Sequence, residues 1–305
     1  MIYEGRAQGR DTKITLEREG LRFGGRFVDF ADVERISPVN HRVYIDLCSG
    51  ERLEISMLGF SYDGFFEELC ELYGKRSLEA LFIEEPLVML SEGEYETPAE
   101  RGRAKIALYG DSVCILPQTA NAVRIPLCFA REIALDGYML HITLEPGRRF
   151  SVGRMGYDTK PFAERAEKAA GAVKAARKRA LDAVAISQPF THKGLFRTAK
   201  ADHYWLAAVG RGVCALELFA GEDAATYLYR FGESADEFLL KLGEAMEAMG
   251  ENREIIYFSK EQLDAKPLYR MAVRRCEAVS FLRARSAGRL IHSQSHGERL
   301  KEFLG

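Results

Sequence analysis

The chain has 305 residues, of which 47% are hydrophobic and 29% charged, a composition typical of folded proteins rather than disordered chains. It is long enough for two or three domains, each with its own core. It contains neither an N-terminal leader pattern nor an apolar run of about 18 residues, so we expect neither export nor a transmembrane segment. The six cysteines are scattered singly, which is typical of reduced thiols, and we expect a cytoplasmic protein.

Charge is unevenly distributed along the sequence. Residues 1–100 contain 11 Lys and Arg against 21 Asp and Glu, a net charge of −10, whereas residues 101–200 contain 18 against 8, a net charge of +10. Adjacent segments of opposite charge are expected to attract each other. Apolar side chains of the connector are expected to supply the buried part of that contact: Leu78, Leu81, Phe82, Ile83, Leu87, Val88 and Leu90.

Two hairpin patterns occur twice along the chain. Residues 13–23 and 105–116 each alternate apolar and polar side chains around a turn that contains glycine. Residues 43–56 and 138–152 repeat a second hairpin in the same way. The sequence therefore predicts two copies of one β-rich unit.

Each predicted unit ends in an amphipathic helix. In the first unit, Phe65, Leu69 and Leu72 recur at helical spacing, with Asp63 as the predicted N-cap. In the second, residues 162–173 repeat this apolar stripe after Pro161, which suits a first helical turn. Strands followed by one closing helix predict a curved antiparallel sheet or partial barrel with the helix packed against its open end.

This order of strands, turns and closing helix resembles that of bacterial pleckstrin-homology-like modules of the GRAM type. The resemblance implies an α+β, β-rich fold, with an acidic module in residues 1–85 and a basic module in residues 95–180. Residues 185–305 are expected to form a further α+β module, which could be a third, divergent copy. A shared fold of this kind implies no particular activity.

Residues 185–305 follow the repeat less clearly. Strands are predicted between residues 203 and 231, and then a helix that opens with a capping box formed by Ser234 and Glu237. Beyond these elements the pattern predicts a helix over residues 263–275, a hairpin over residues 279–293 and a short final helix.

Motifs for catalysis and cofactor binding are missing from the sequence. Neither glycine-rich nucleotide-binding pattern occurs, nor does the nucleophile elbow of serine hydrolases. His292 and His296 have ligand-like spacing, but no third ligand accompanies them, so a solvated loop pair is the favoured interpretation. We therefore predict no catalytic residue, no cofactor and no metal site.

A cluster of basic residues stands out in the second module and just after it. A solvated helix face is the simpler interpretation, and an anion-binding patch is the alternative. The candidate residues for an anionic partner are Arg148, Arg149, Arg154, Lys174, Arg177, Lys178 and Arg179.

Three functions are compatible with these patterns. The leading hypothesis is a non-catalytic protein-interaction or scaffold protein, whose partner is a protein segment lying along a sheet edge or the closing helix. The first alternative is binding of anionic lipid or nucleic-acid surfaces through the basic second module. The second alternative is an enzyme whose site lies in residues 185–305.

Overall fold

A computed structural model describes residues 1–305 apart from 84, 145–146, 184–191, 198–202, 211, 221–222, 251, 292–295 and 305. The protein is β-rich, with three antiparallel sheets and several helices, and thus belongs to the α+β class. It divides into two compact units, Met1–Gly171 and Ala172–Gly305. The first unit contains two of the sheets.

The first module consists of a seven-stranded sheet and a helix. Its strands are β1 (Ile2–Ala7), β2 (Arg10–Glu17), β3 (Gly20–Phe23), β4 (Arg26–Asp29), β5 (Val33–Val39), β6 (Arg42–Leu47) and β7 (Arg52–Ser56). Helix α1 (Tyr62–Glu79) follows them. The strand order across the sheet is β4-β3-β2-β1-β7-β6-β5, so β4 and β5 are its two edges and the sheet is not a closed barrel.

The second module repeats this arrangement. Its strands are β8 (Leu87–Glu96), β9 (Arg101–Tyr109), β10 (Ser112–Pro117), β11 (Val123–Pro126), β12 (Ala130–Asp136), β13 (Met139–Leu144) and β14 (Arg149–Gly153), followed by helix α2 (Thr159–Ala183). The order across the sheet is β11-β10-β9-β8-β14-β13-β12. This is the order of the first sheet strand for strand, so the predicted internal repeat is present in the topology.

Each closing helix contributes to the core of its own module. Phe65, Leu69 and Tyr73 of α1 are fully buried against the first sheet. In the second module, Phe162 and Ala166 of α2 occupy the places of Phe65 and Leu69. The predicted stripes therefore face the sheets, because apolar side chains at helical spacing form one continuous face.

The start of α1 differs in detail from the sequence prediction. The N-cap position is Ser61, without a side-chain hydrogen bond, and Asp63 lies within the first turn. A short 3-10 turn (Gly59–Ser61) runs directly into the helix. The prediction of Asp63 as N-cap is therefore wrong, although an acidic side chain in the first turn still favours the helix dipole.

The second unit has a five-stranded antiparallel sheet in the order β15-β16-β17-β18-β19, which differs from the repeated order of the first unit. Its elements are β15 (His192–Arg197), β16 (His203–Gly210), β17 (Val213–Ala220), β18 (Asp223–Arg230), α3 (Ala235–Met249), α4 (Lys260–Asp264), α5 (Pro267–Arg275), α6 (Glu277–Arg285), β19 (Ser286–Ile291) and α7 (His296–Leu304).

Three predictions for the second unit can be compared with these elements. Half of the predicted capping box is present: Oγ of Ser234 accepts a hydrogen bond from the Glu237 amide at 3.2 Å, but the Glu237 side chain does not accept from the Ser234 amide. The helix predicted over residues 263–275 is interrupted, because Pro267 begins a separate helix. The hairpin predicted over residues 279–293 is wrong: α6 occupies its first half and buries Val279 and Leu282 at helical spacing.

None of the helices, as far as the chain is described, is both long enough and apolar enough to cross a membrane.

A buried ion pair fixes α1 to the sheet of the first module. The guanidinium group of Arg76 lies 3.2 Å from Oδ2 of Asp29, and the two side chains are only 8% and 10% exposed. Asp29 also accepts a hydrogen bond from the Ala31 amide at 2.7 Å, which orders the chain between β4 and β5. Arg76 also pairs with the more exposed Glu79 at 3.1 Å, so removing the Asp29 charge would leave Arg76 with this one carboxylate.

We expect Asp29→Asn to lower the free energy of unfolding of the first unit by about 2 kcal/mol, because buried Arg76 would lose its charge-assisted hydrogen bonds to Asp29 and keep only its pair with Glu79. Chemical denaturation followed by far-UV circular dichroism measures this change. Glu51→Gln is the control, because the Arg26–Glu51 pair is 43% and 40% exposed and should contribute only about 0–1 kcal/mol. Equal effects of the two substitutions would contradict the assignment.

Candidate functional site

The edge strand β5 of the first module binds an extended segment of the second module. Residues 118–122, the loop between β10 and β11, lie along this edge and are called the docked loop below. Arg35 and Ala120 form an antiparallel bridge, and the amide of Ile36 donates to the carbonyl oxygen of Thr119 at 2.9 Å. The docked loop thus satisfies backbone groups that an edge strand otherwise leaves unpaired.

Helix α1 forms the other wall of this contact. The hydroxyl of Tyr73 donates to Oδ1 of Asn121 at 2.8 Å, and Oγ of Ser77 accepts from the amide of Ala122 at 2.7 Å. Tyr73 and Ser77 are four residues apart and therefore face the same side of the helix. The docked loop is held between a sheet edge and the closing helix, mainly through backbone atoms.

An ion pair at the rim of this contact also joins the two modules. Arg35 of β5 lies 2.8 Å from Oε2 of Glu100, which precedes β9 in the second module. The hydroxyl of Tyr95 donates to the other oxygen of Glu100 at 3.2 Å. Burial, and then the negative charge of Glu100, raises the pKa of Tyr95 to about 12. Tyr95 therefore stays protonated and orients Glu100 toward Arg35.

The rim ion pair of this contact has the opposite sense to the attraction predicted between the modules, with the arginine in the acidic module and the glutamate in the basic one. The attraction itself stays a prediction. One interaction has the predicted sense: the positive charge of Lys105, after the nearer Lys75, helps to lower the pKa of Glu71. The connector was also expected to be buried: Leu78, Leu81, Phe82 and Ile83 are half-buried, whereas Leu87, Val88 and Leu90 are 52%, 46% and 50% exposed.

Strand β12 of the second module is the equivalent of β5 and also forms an edge of its sheet. Ile36 pairs with Ile45 on β6, and Ile133 of β12 pairs with Ile142 on β13 in the same register. Both edge strands also carry a bulge at the same position, after Val33 and after Ala130. Within the described part of the chain, no strand or bridge pairs with the outer side of β12, which we call the open edge.

The basic residues proposed for an anionic partner take up separate positions. Arg148 directly precedes β14, Arg149 is its first residue, and Arg154 follows its end. At the rise of a β-strand, Arg149 and Arg154 are about 16 Å apart. Arg154 is paired with Glu94 at 2.8 Å. Lys174 is an exposed residue of α2, and Arg177, Lys178 and Arg179 fall within the same helix, but their side chains lie outside the described residues. The anionic patch stays a prediction.

Other candidate groups are placed as follows. His292 lies outside the described residues, and His296 begins α7. Tyr227 and Tyr229 of β18 are each 1% exposed, in accord with core packing. Among the described residues, no group of three His, Cys, Asp or Glu side chains is arranged to hold a metal ion.

No protein-family model matches this chain, and no curated protein matches it either. Its function must therefore be inferred from its own geometry.

The docked loop itself was not recognised as functional from the sequence. The signal that could have revealed it is a difference in turn length between the two repeats. Residues 118–122 separate β10 from β11, whereas Gly24 and Gly25 alone separate β3 from β4. Residues 97–100, which include Glu100, replace the two-residue turn of residues 8–9.

We expect the amide of Ile36 to exchange with solvent more slowly than that of Ile133, since only the former donates to the docked loop. Amide-resolved hydrogen exchange on the full chain tests this pair. The protection of Ile36 should also persist between about 0.05 and 0.5 M salt, over which exposed charges are progressively screened. Protection that disappears with salt would show that charge holds the modules together.

Proposed function

We propose that this chain is a non-catalytic protein-interaction protein, built from tandem modules of the pleckstrin-homology type and acting as a cytoplasmic scaffold. One observation carries the proposal: the first module binds an extended polypeptide segment between its edge strand and its closing helix. The contact uses the Ile36 amide, Tyr73 and Ser77. Strand addition at a sheet edge is a general mode of peptide recognition.

The module type is supported by the repeated topology. Seven antiparallel strands precede one packed helix in both copies, as the resemblance implies. Two copies within one unit suit a scaffold, because each copy offers an edge of the same construction. One of these edges is occupied within the chain, which leaves the other for a partner.

The lack of activated nucleophiles among the buried thiols supports a non-catalytic role. Burial raises the pKa of Cys70 and of Cys114 to about 12, and it raises that of Cys214 further. Because the thiolate is the reactive form, thiols with raised pKa values are poor nucleophiles at neutral pH. These cysteines behave as small apolar core residues.

Binding to an anionic surface has less support. Phosphate recognition requires basic side chains that converge on one point. Arg149 and Arg154 flank opposite ends of β14, and Arg154 is neutralised by Glu94.

We expect the full chain to retain a protein partner from its native lysate and to bind that partner, once purified, at a fixed stoichiometry. Titration calorimetry should give an affinity that changes little between about 0.05 and 0.5 M salt, because backbone pairing is screened less than exposed charge. Heparin and anionic vesicles serve as competitors.

The Arg148→Ala/Arg149→Ala double variant is the matched control. It should leave partner binding unchanged, while it would weaken any retention on heparin. Retention of the chain on heparin or vesicles alone, with loss at high salt, would instead favour the anionic-surface alternative.

A further inference from the structure

The open edge differs from its occupied counterpart at the positions whose amides face outward. In an antiparallel edge strand, alternate residues direct their backbone groups away from the sheet. Ile36 and Pro38 are such residues in β5, and proline has no N–H to donate. Their equivalents in β12 are Ile133 and Leu135. The open edge therefore offers two outward donors where the occupied edge offers one.

The side chains at these positions also differ in burial. Ile36 is 1% exposed and belongs to the core of the first module. Ile133 is only partly buried, and Leu135 is 38% exposed. An edge strand with unpaired backbone groups is a template for another strand, and natural proteins usually protect such edges with proline or charge. Pro38 gives this protection in β5, whereas β12 has no proline and carries exposed charges at Arg131, Glu132 and Asp136.

A second copy of this chain cannot supply the covering strand in the way that the docked loop does. The docked loop of each copy already lies on β5 of the same chain. The equivalent turn of the first module is Gly24-Gly25, which is too short to lie along a strand. Neither of these turns of a second copy is therefore free to occupy the open edge, and we commit to a segment of a different protein as its occupant.

Charge at the edge indicates what that protein carries. At the occupied edge, Arg35 pairs with Glu100 of the incoming module. The equivalent position in β12 is Glu132, an exposed residue. In the first module the partner of Arg35, Glu100, lies in the turn of residues 97–100 and not in the docked loop. An exposed carboxylate on an edge strand itself favours an opposite charge directly across from it in an added strand, so the segment that pairs with β12 is expected to carry a lysine or arginine there.

We infer that the outer edge of β12 binds an extended segment of a partner protein as an added antiparallel strand, with a basic side chain of that segment opposite Glu132. This inference rests on the proposed protein-interaction function and names the surface and the chemistry that would carry it. Backbone pairing at Ile133 and Leu135 gives the affinity, and Glu132 selects the charge.

The test uses a phage-displayed library of 12-residue peptides, selected on the full chain at low salt. Selected peptides are synthesised and titrated against the wild type, Leu135→Pro and Leu135→Ala. Leu135→Pro removes the outward amide and copies Pro38, which the first module accommodates. Leu135→Ala shortens the side chain but retains the amide.

We expect the selected peptides to contain a lysine or arginine, and Leu135→Pro to weaken binding about tenfold or more, whereas Leu135→Ala weakens it about threefold or less. Bound peptide should slow the exchange of the Ile133 and Leu135 amides. Selection on Glu132→Lys should enrich acidic peptides instead. Circular dichroism of each variant checks that the fold is retained.

Two outcomes would overturn the inference. One is equal binding to wild type and Leu135→Pro, and the other is a selected set without basic residues that is indifferent to Glu132→Lys. Binding of the native partner to Leu135→Pro distinguishes failure of this inference from failure of the proposed function. A partner that binds Leu135→Pro normally would leave the protein-interaction function intact and place the contact elsewhere, whereas the absence of any protein partner would contradict both.

Discussion

The arrangement of the first unit depends on the hydrogen-bonding requirement of a sheet edge. A strand at the end of a sheet has backbone N–H and C=O groups that lack a partner within the sheet. In β5 this requirement is met by the docked loop, through the Ile36 amide and the bridge between Arg35 and Ala120. The contact that satisfies the edge also joins the two modules, so local backbone chemistry has a consequence for domain organisation.

Net charge and local contact have different roles in this arrangement. The two segments of opposite charge differ by many unit charges, yet their rim ion pair has the reverse sense. Exposed pairs each contribute about 0–1 kcal/mol, while hydrogen bonds to buried backbone groups prevent the larger cost of leaving those groups unsatisfied. Shape and backbone pairing therefore determine the register, and the summed charge contributes at longer range.

Much of the repeated fold could be predicted from the sequence because its hairpins alternate with a period of two and its helices carry apolar stripes. The strands β1 and β8 were missed because they precede the recognisable hairpins. The hairpin predicted over residues 279–293 was wrong because a short apolar run such as Phe281-Leu282 fits a helix as well as a strand. The contact of Arg35 with Glu100 links residues 65 positions apart, so no local pattern could reveal it.

Divergence between the repeats explains why equivalent edges have different roles. The second module has longer turns at residues 97–100 and 118–122, and these turns carry Glu100 and the docked loop. The first module lacks both, so it accepts a segment but cannot donate one in the same way. A head-to-tail contact between identical modules would be repeated from one module to the next, and would give a ring or, where the rotation does not close, a filament. Only the second module donates a loop, so the contact forms once between these two modules. Within the described residues, β12, the equivalent of β5, pairs with no further segment on its outer side.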